Sequence, residues 1–240
     1  MVRPAEPLTP LIMTALNDLG ERLQTQDVIC IAQKIVSKSE GRLVKLDDVK
    51  PGAAAVELAR ETDKDPRLVE LILNESDEVL RKKPGVLIVR HRRGFVMANA
   101  GIDQSNVDHS EGEQALLLPV DPDASAQRLR AELTQAAGVE LGVVITDSAN
   151  RPWRMGTTSI AIGAAGIQVL DDRRGGTDVY GRDLKVTMIN NADALATAAT
   201  MVLGETTERI PVAIVRGLPL SGEGQNASII NRPLADDLFR

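Results

Sequence analysis

The 240-residue sequence has a single cysteine, Cys30, which rules out an intrachain disulfide. Cys30 lies in the apolar run VICIA, where a thiol serves as buried filler rather than as a reactive group. Aromatic residues are scarce, with two Phe, one Trp and one Tyr, which argues against a platform for stacking nucleobases. Basic residues are not in excess. The 28 Lys and Arg against 34 Asp and Glu give a net charge of −6, opposite to the balance that nucleic acid selects. No apolar run approaches the ~20 residues of a membrane span. The opening MVRPAEPLTP lacks the apolar core of a secretion signal. A cytoplasmic protein with no nucleic-acid or membrane partner is expected. The two histidines, His91 and His109, are not spaced as a zinc-ligand pair. His91 reads as part of a hairpin turn and His109 as part of an acidic loop, both at the surface. A phosphate-binding G-x-x-x-x-G-K-[ST] loop, a G-x-G-x-x-G turn and a G-x-S-x-G elbow are all absent.

What remains is a chain that is 43% hydrophobic, enough for a sizeable core, with helical and extended patterns intermixed. Leu8, Leu11, Ile12, Ala15, Leu16, Leu19 and Leu23 predict a helical face, with Thr9 as its cap and Pro10 in its first turn. DVICIAQ reads as a buried strand. GAAAVELARET and DPRLVELILNES read as helices, the second opened by Asp65 and Pro66. GVLIVRHRRGFVMANAG reads as a hairpin turning at HRRG. DASAQRLRAELTQAAG is a helix with Gly138 just past its end. GVVIT, SIAIGAAGIQVL, LKVTMI and PVAIVRGL are strand candidates, and NNADALATAATMVLG is a helix of small residues. No repeat or long flexible linker divides the chain. A single α+β (mixed α/β) region over residues 1–240 is expected.

Chemistry gathers where apolar segments end. Asp103 follows FVMANAGI, with Asn106 close behind. Asp147 and Ser148 follow GVVIT. Glu205 follows the helix that ends at Gly204. Carboxylates and hydroxyls are the ligands of hard divalent cations, and a strand end fixes a carboxylate while leaving its head open to a crevice. Each acid taken alone reads as a turn or cap residue before it reads as a ligand, and spacing does not decide whether the three converge. Lys34, Lys38 and Arg42, just after a predicted strand, read either as a solvated loop or as a phosphate clamp. The stretch 171–187, with three glycines and Arg173, Arg174 and Arg182, reads as a hairpin region that could present an arginine to substrate. Trp153 reads as a packing anchor.

Taken together, AQKIVSKSEGR, NESDEVLR, ANAGIDQSNV, VVITDSANRPWRMG, GTDVYGRDLKVT, NADALATAATMVLGE, IPVAIVRGL and RPLADDLFR resemble the coenzyme F420-0:L-glutamate ligases (F420 gamma-glutamyl ligases), in family order and over nearly the whole chain. The resemblance implies a family-specific fold of mixed sheets and hairpins in an intertwined homodimer. It implies GTP-dependent ligation of L-glutamate to F420-0 through an acyl phosphate. It further implies a divalent pair, Mg2+ or Mn2+, with K+ as a further candidate ion. Family metal ligands fall on Asp103, Asp147, Ser148 and Glu205, with Asp103 and Asp147 as the catalytic pair; relatives commonly carry threonine at the position of Ser148. Nucleotide contacts fall on Lys38, Asn106, Gly204, Thr206 and Thr207, and on Gln33, where relatives often have serine. Arg151, Arg154 and Arg174 are the candidates for gripping acidic substrate. VRPAEPL resembles the second part of the family's N-terminal stretch, so the GLPE-like turn ahead of it is expected to lie before Met1. A fused reductase domain is not expected. The alternatives are a related ligase or phosphotransferase acting on another acidic acceptor, and a non-catalytic binder of nucleotide or deazaflavin.

Overall fold

The computed structural model describes residues 2–150, 152–219, 222 and 224–238. Helix α1 (Leu8–Asp18) precedes strand β1 (Val28–Ala32), which runs directly into α2 (Gln33–Ser39) and the short strand β2 (Leu43–Lys45). Helices α3 (Ala53–Thr62) and α4 (Pro66–Asn74) lead to the antiparallel strands β3 (Ser76–Lys83), β4 (Val86–His91) and β5 (Val96–Ala98). A 3-10 turn, Asn99–Gly101, and a polar loop reach β6 (Gln114–Leu116), which pairs with β2. Helix α5 (Pro122–Ala137), the long hairpin β7 (Gly142–Asn150) and β8 (Thr157–Ala165), and the small pair β9 (Leu170–Asp172) and β10 (Met188–Asn190) follow. Helix α6 (Asn191–Leu203) and β11 (Val212–Val215) complete the regular elements before two 3-10 turns, Ala227–Ile230 and Leu234–Asp236. The class is α+β.

The main sheet has the order β11-β1-β7-β8; only β1 and β7 run parallel. Strands buried on both faces read as continuous apolar runs, which is why VICIA and GVVIT lack alternation. Ile29, Ile31, Val143 and Ile145 face α1 and α5, whereas Val28, Cys30 and Val144 face α6. Cys30 is fully buried, and burial pushes its thiol up to about 12. A third core lies between α3, α4 and the β3-β4-β5 sheet. Among the described residues no helix is long and apolar enough to cross a membrane.

Several local expectations are corrected. Pro7, not Thr9, stands at the cap position of α1; Thr9 lies inside the helix and donates to Glu132 at 2.6 Å. Leu11 and Leu19 are exposed, because only the seam of Leu8, Ile12 and Leu16 meets the core and the helix stops at Asp18. The Lys34–Lys38 stretch is helix rather than loop, and of LKVTMI only Met188 and Ile189 are strand, as the first two residues of β10. His91 is 4% exposed, because its Nδ1 accepts from the Arg93 N–H at 3.0 Å while its ring tilts against Phe95. Trp153 is 87% exposed in the turn between β7 and β8, so it anchors no core. The caps predicted for α4 and α5 do form: Asp65 accepts from the Arg67 N–H at 2.7 Å, and Gly138 closes α5 in the left-handed region at φ +70°.

Candidate functional site

The pairing of parallel strands β1 and β7 ends with Ala32 opposite Thr146, where β1 stops and β7 runs on beside β8. The carboxyl ends of adjacent parallel strands open into a crevice that the following loops and helices line. Gln33 and Lys34 stand at the start of α2 on one side of it, and Asp147 continues β7 on the other. A bulge lies next to this point: Ile145 pairs with Gly163 and Thr146 with Ala161, which leaves Ile162 without a partner. Such bulges re-aim the side chains beside them.

Asp103 arrives from a different part of the chain. Asn99, Ala100 and Gly101 all adopt positive φ, at 53°, 55° and 70°. A run of left-handed residues that includes an alanine costs about 1–2 kcal/mol per non-glycine residue. At Gly101 a Cβ would come 2.8 Å from the Leu118 side chain, so the position needs glycine for space as well as for φ. This strained corner delivers Asp103 into a two-way backbone bridge with Leu116, at 3.0 and 2.8 Å, which fixes its Cα.

The two carboxylates meet across the crevice. Asp103 Oδ2 accepts from Gln33 Nε2 at 2.9 Å and pairs with Lys34 Nζ at 2.5 Å. Gln33 is itself locked, since its Oε1 accepts from the buried Ser37 hydroxyl at 2.8 Å. Asp147 is 8% exposed. Burial pushes its carboxyl up, and the nearby negative charge of Asp103 pushes it further, to about 7, against the pull of Lys34, the Ser148 N–H and the Gln33 amide. Like charges held together, one of them buried, favour either a proton or a cation between them.

A second group of contacts joins the same region to the turn after α6. Lys38 Nζ donates to the Asn106 carbonyl at 2.8 Å, and Asn106 Nδ2 donates to the Thr206 carbonyl at 3.1 Å. Burial and the neighbouring Lys34 charge lower the Lys38 ammonium below the ordinary lysine value. Gly204 has φ +73°, and a Cβ there would fall 2.2 Å from the Glu208 side chain, which folds back to accept from the Thr206 N–H at 2.8 Å. Ser148 donates to Glu205 Oε2 at 2.6 Å. Alternation along β7 turns Ser148 to the face opposite Asp147, toward α6.

The structure therefore links Asp103 with Asp147 through Gln33 and Lys34, Ser148 with Glu205, and Lys38 with Asn106 and Thr206. Among the described residues no three carboxylate, imidazole or thiolate groups close into one cage. The acidic donors stand as a carboxylate pair and, separately, as a carboxylate with a hydroxyl. Hard oxygen donors carrying surplus negative charge fit Mg2+ or Mn2+. The fully engaged Gln33 side chain, 1% exposed, serves the carboxylates. Arg42 is spent on Glu75 at 3.0 Å and on the Leu118 carbonyl at 2.8 Å, and so stands apart from Lys34 and Lys38. Arg174 is held by Asp172 through three contacts of 2.6–3.1 Å. Arg154 is exposed and forms no ion pair with a described residue, and Arg151 lies outside the described residues. Sequence reasoning missed Ser37 and the direct role of Lys34. Their only signal was position, four and one residues past Gln33 on a helix that was not anticipated.

The family model described as F420-0:Gamma-glutamyl ligase matches residues 1–217. The chain is 43% identical over 243 residues to the protein named Coenzyme F420:L-glutamate ligase from Methanothermobacter thermautotrophicus, covering 100% of this chain and 95% of the relative. The like-named protein of Methanopyrus kandleri is 43% identical over 244 residues, covering 100% and 93%. That of Archaeoglobus fulgidus is 40% identical over 245 residues, covering 100% and 96%.

Proposed function

The chain belongs to the F420-0:gamma-glutamyl ligase family, and from that premise we propose that it joins L-glutamate to coenzyme F420-0 at the expense of GTP, in F420 biosynthesis. The observation that carries this reading is the Asp103–Asp147 carboxylate pair beside the open end of β1, flanked by Lys34 and Lys38.

A carboxylate is a poor acyl donor, so the acceptor must be activated. An oxygen of the F420-0 carboxylate attacks the γ-phosphorus of GTP, the bond to the departing GDP breaks, and an acyl phosphate forms. The α-amino nitrogen of glutamate then attacks the acyl carbon. Phosphate leaves with the bonding pair, and the surplus amine proton passes to phosphate or water. Bound Mg2+ or Mn2+ would supply charge neutralisation and alignment for the in-line transfer. Asp103 and Asp147 would hold one ion, and Ser148 with Glu205, on the other face of β7, would offer oxygen donors to a second. Gln33 keeps Asp103 turned inward. The Lys38 ammonium sets a positive charge beside the phosphates. Asn106 ties α2 to the Gly204–Thr207 turn, so nucleotide contacts on both are made by one coupled unit.

A homodimer belongs to the same reading. Trp153, Met155, Val179, Tyr180 and Val186 are all more than four-fifths exposed, on the turn between β7 and β8 and on the loop before β10. Exposed large apolar side chains concentrated on projecting segments suit burial against a second copy.

The test incubates the protein with F420-0, L-glutamate, Mg2+ and each nucleoside triphosphate in turn, and follows product by mass. The expected result is a mass gain of glutamyl units with GTP, matched by GDP and phosphate release. GTP hydrolysis that ignores F420-0 would move the assignment to another acceptor. Saturable binding without phosphate release would make the protein a binder and overturn the proposal.

A further inference from the structure

We propose that the Lys34 ammonium is the resident counter-ion of the Asp103–Asp147 pair and gives up that place when a divalent cation binds. The inference rests on the reading of this pair as a cation site. Its basis is the crowding on one oxygen. Asp103 Oδ2 accepts from both Gln33 Nε2, at 2.9 Å, and Lys34 Nζ, at 2.5 Å. A carboxylate oxygen offers about two lone-pair directions, so these two donors fill Oδ2. A cation that takes this oxygen must displace one of them.

The surroundings decide which. Gln33 is buried, and its amide is clamped by the Ser37 hydroxyl at 2.8 Å; Ser37 is fully buried. Moving Gln33 would strand two buried polar groups. The Lys34 side chain is 28% exposed, and its flexible four-carbon stem can carry the ammonium into water. Lys34 also repels an incoming cation, whereas the neutral Gln33 does not. The same ammonium attracts Asp147, so it compensates both carboxylates before metal arrives. Lys34 thus acts as a placeholder: it keeps two facing carboxylates compatible with the fold and sets the affinity at which metal replaces it.

The decisive measurement is Mn2+ binding to the metal-free full chain, followed by calorimetry or by loss of the free-ion EPR signal. The parent is compared with Lys34→Met, Lys34→Gln, Lys34→Arg and the distant Lys82→Met, whose lysine on β3 pairs with Glu61 of α3. Lys34→Met and Lys34→Gln should bind Mn2+ about fivefold to tenfold more tightly, because the competitor is gone. Lys34→Arg should bind no more tightly than the parent, and Lys82→Met should stay within about twofold. Without metal, the Met and Gln variants should melt below the parent, and saturating Mn2+ should narrow the gap. The inference is overturned if the parent binds Mn2+ while both neutral variants bind equally or more weakly. If the parent binds no Mn2+, the cation-site reading itself fails and the inference falls with it. Should the Met variant not fold, the Gln variant carries the comparison.

Discussion

Replacing Asp147 with asparagine should damage activity and stabilise the metal-free protein, with a pH dependence of fixed sign. The carboxyl is 8% exposed, and its folded value is raised from 3.8 to about 7 by burial and by Asp103. A raised folded value means that the native state holds the proton more tightly than the unfolded chain. The stabilising contribution is then fully present below the unfolded value and is lost as pH rises toward 7. Above 7, keeping the ionised form in place costs about 4 kcal/mol if the whole shift appears as stability. Asparagine keeps the shape but also loses the attraction to Lys34, so a net gain of about 1–2 kcal/mol at pH 8 is expected. Urea unfolding in EDTA at pH 8 and pH 5 measures it: Asp147→Asn should be the more stable protein at pH 8, with a smaller advantage at pH 5. Glutamylation by the same variant should fall at least about 100-fold, the usual loss of a group that stabilises developing charge. A variant less stable than the parent at pH 8, or an advantage that does not change with pH, would refute the electrostatic argument. Parent-like activity would refute the placement of Asp147 in the site.

Two further outcomes follow from single contacts. Ser148→Ala removes the hydroxyl that donates to Glu205 at 2.6 Å and should lower kcat/KM by about tenfold to a hundredfold, whereas Ser148→Thr, which keeps it, should remain within a few-fold of the parent in the same assay. At the far end of β1, burial pushes the Asp27 carboxyl up, but the bidentate Arg216 contacts at 2.8 and 2.9 Å and the Gln24 N–H at 2.7 Å outweigh it, so Asp27 titrates below its ordinary value. That stability is present above 3.8 and lost as pH falls below it; Arg216→Ala should therefore lower stability to urea at pH 7 and move acid unfolding, followed by circular dichroism, to higher pH.

Legibility in the sequence tracked the length and regularity of the apolar pattern. β1 and β7 were visible because a strand covered on both faces is an unbroken apolar run, and α5 and α6 because their helical pattern spans three turns or more. Strand β3 was invisible. Its residues SDEVLRKK are mostly exposed, so it has no alternation to read, and only pairing with β4 makes it a strand. Helix α2 was hidden for a related reason: seven residues are too few to show a period. His91 was misjudged because its burial depends on its own turn, through Arg93, and on Phe95. Trp153 was misjudged because a lone tryptophan is usually a core residue, whereas this one projects from a long hairpin.

The site illustrates the same limit more sharply. Asp103 and Asp147 are 44 positions apart, and nothing in their spacing requires them to meet. They meet because three left-handed residues turn the chain before Asp103 and because a bulge lies beside the start of the exposed end of β7. Neither device has a residue signature beyond Gly101 and Gly163. The cost of the Asn99–Gly101 corner is recovered only by what it delivers, the backbone bridge to Leu116 and a carboxylate set against another carboxylate. Backbone strain spent on bringing like charges together is unfavourable for the empty fold by itself. It becomes favourable when something positive completes the arrangement, Lys34 in the metal-free chain and, in the function proposed for this chain, a divalent cation.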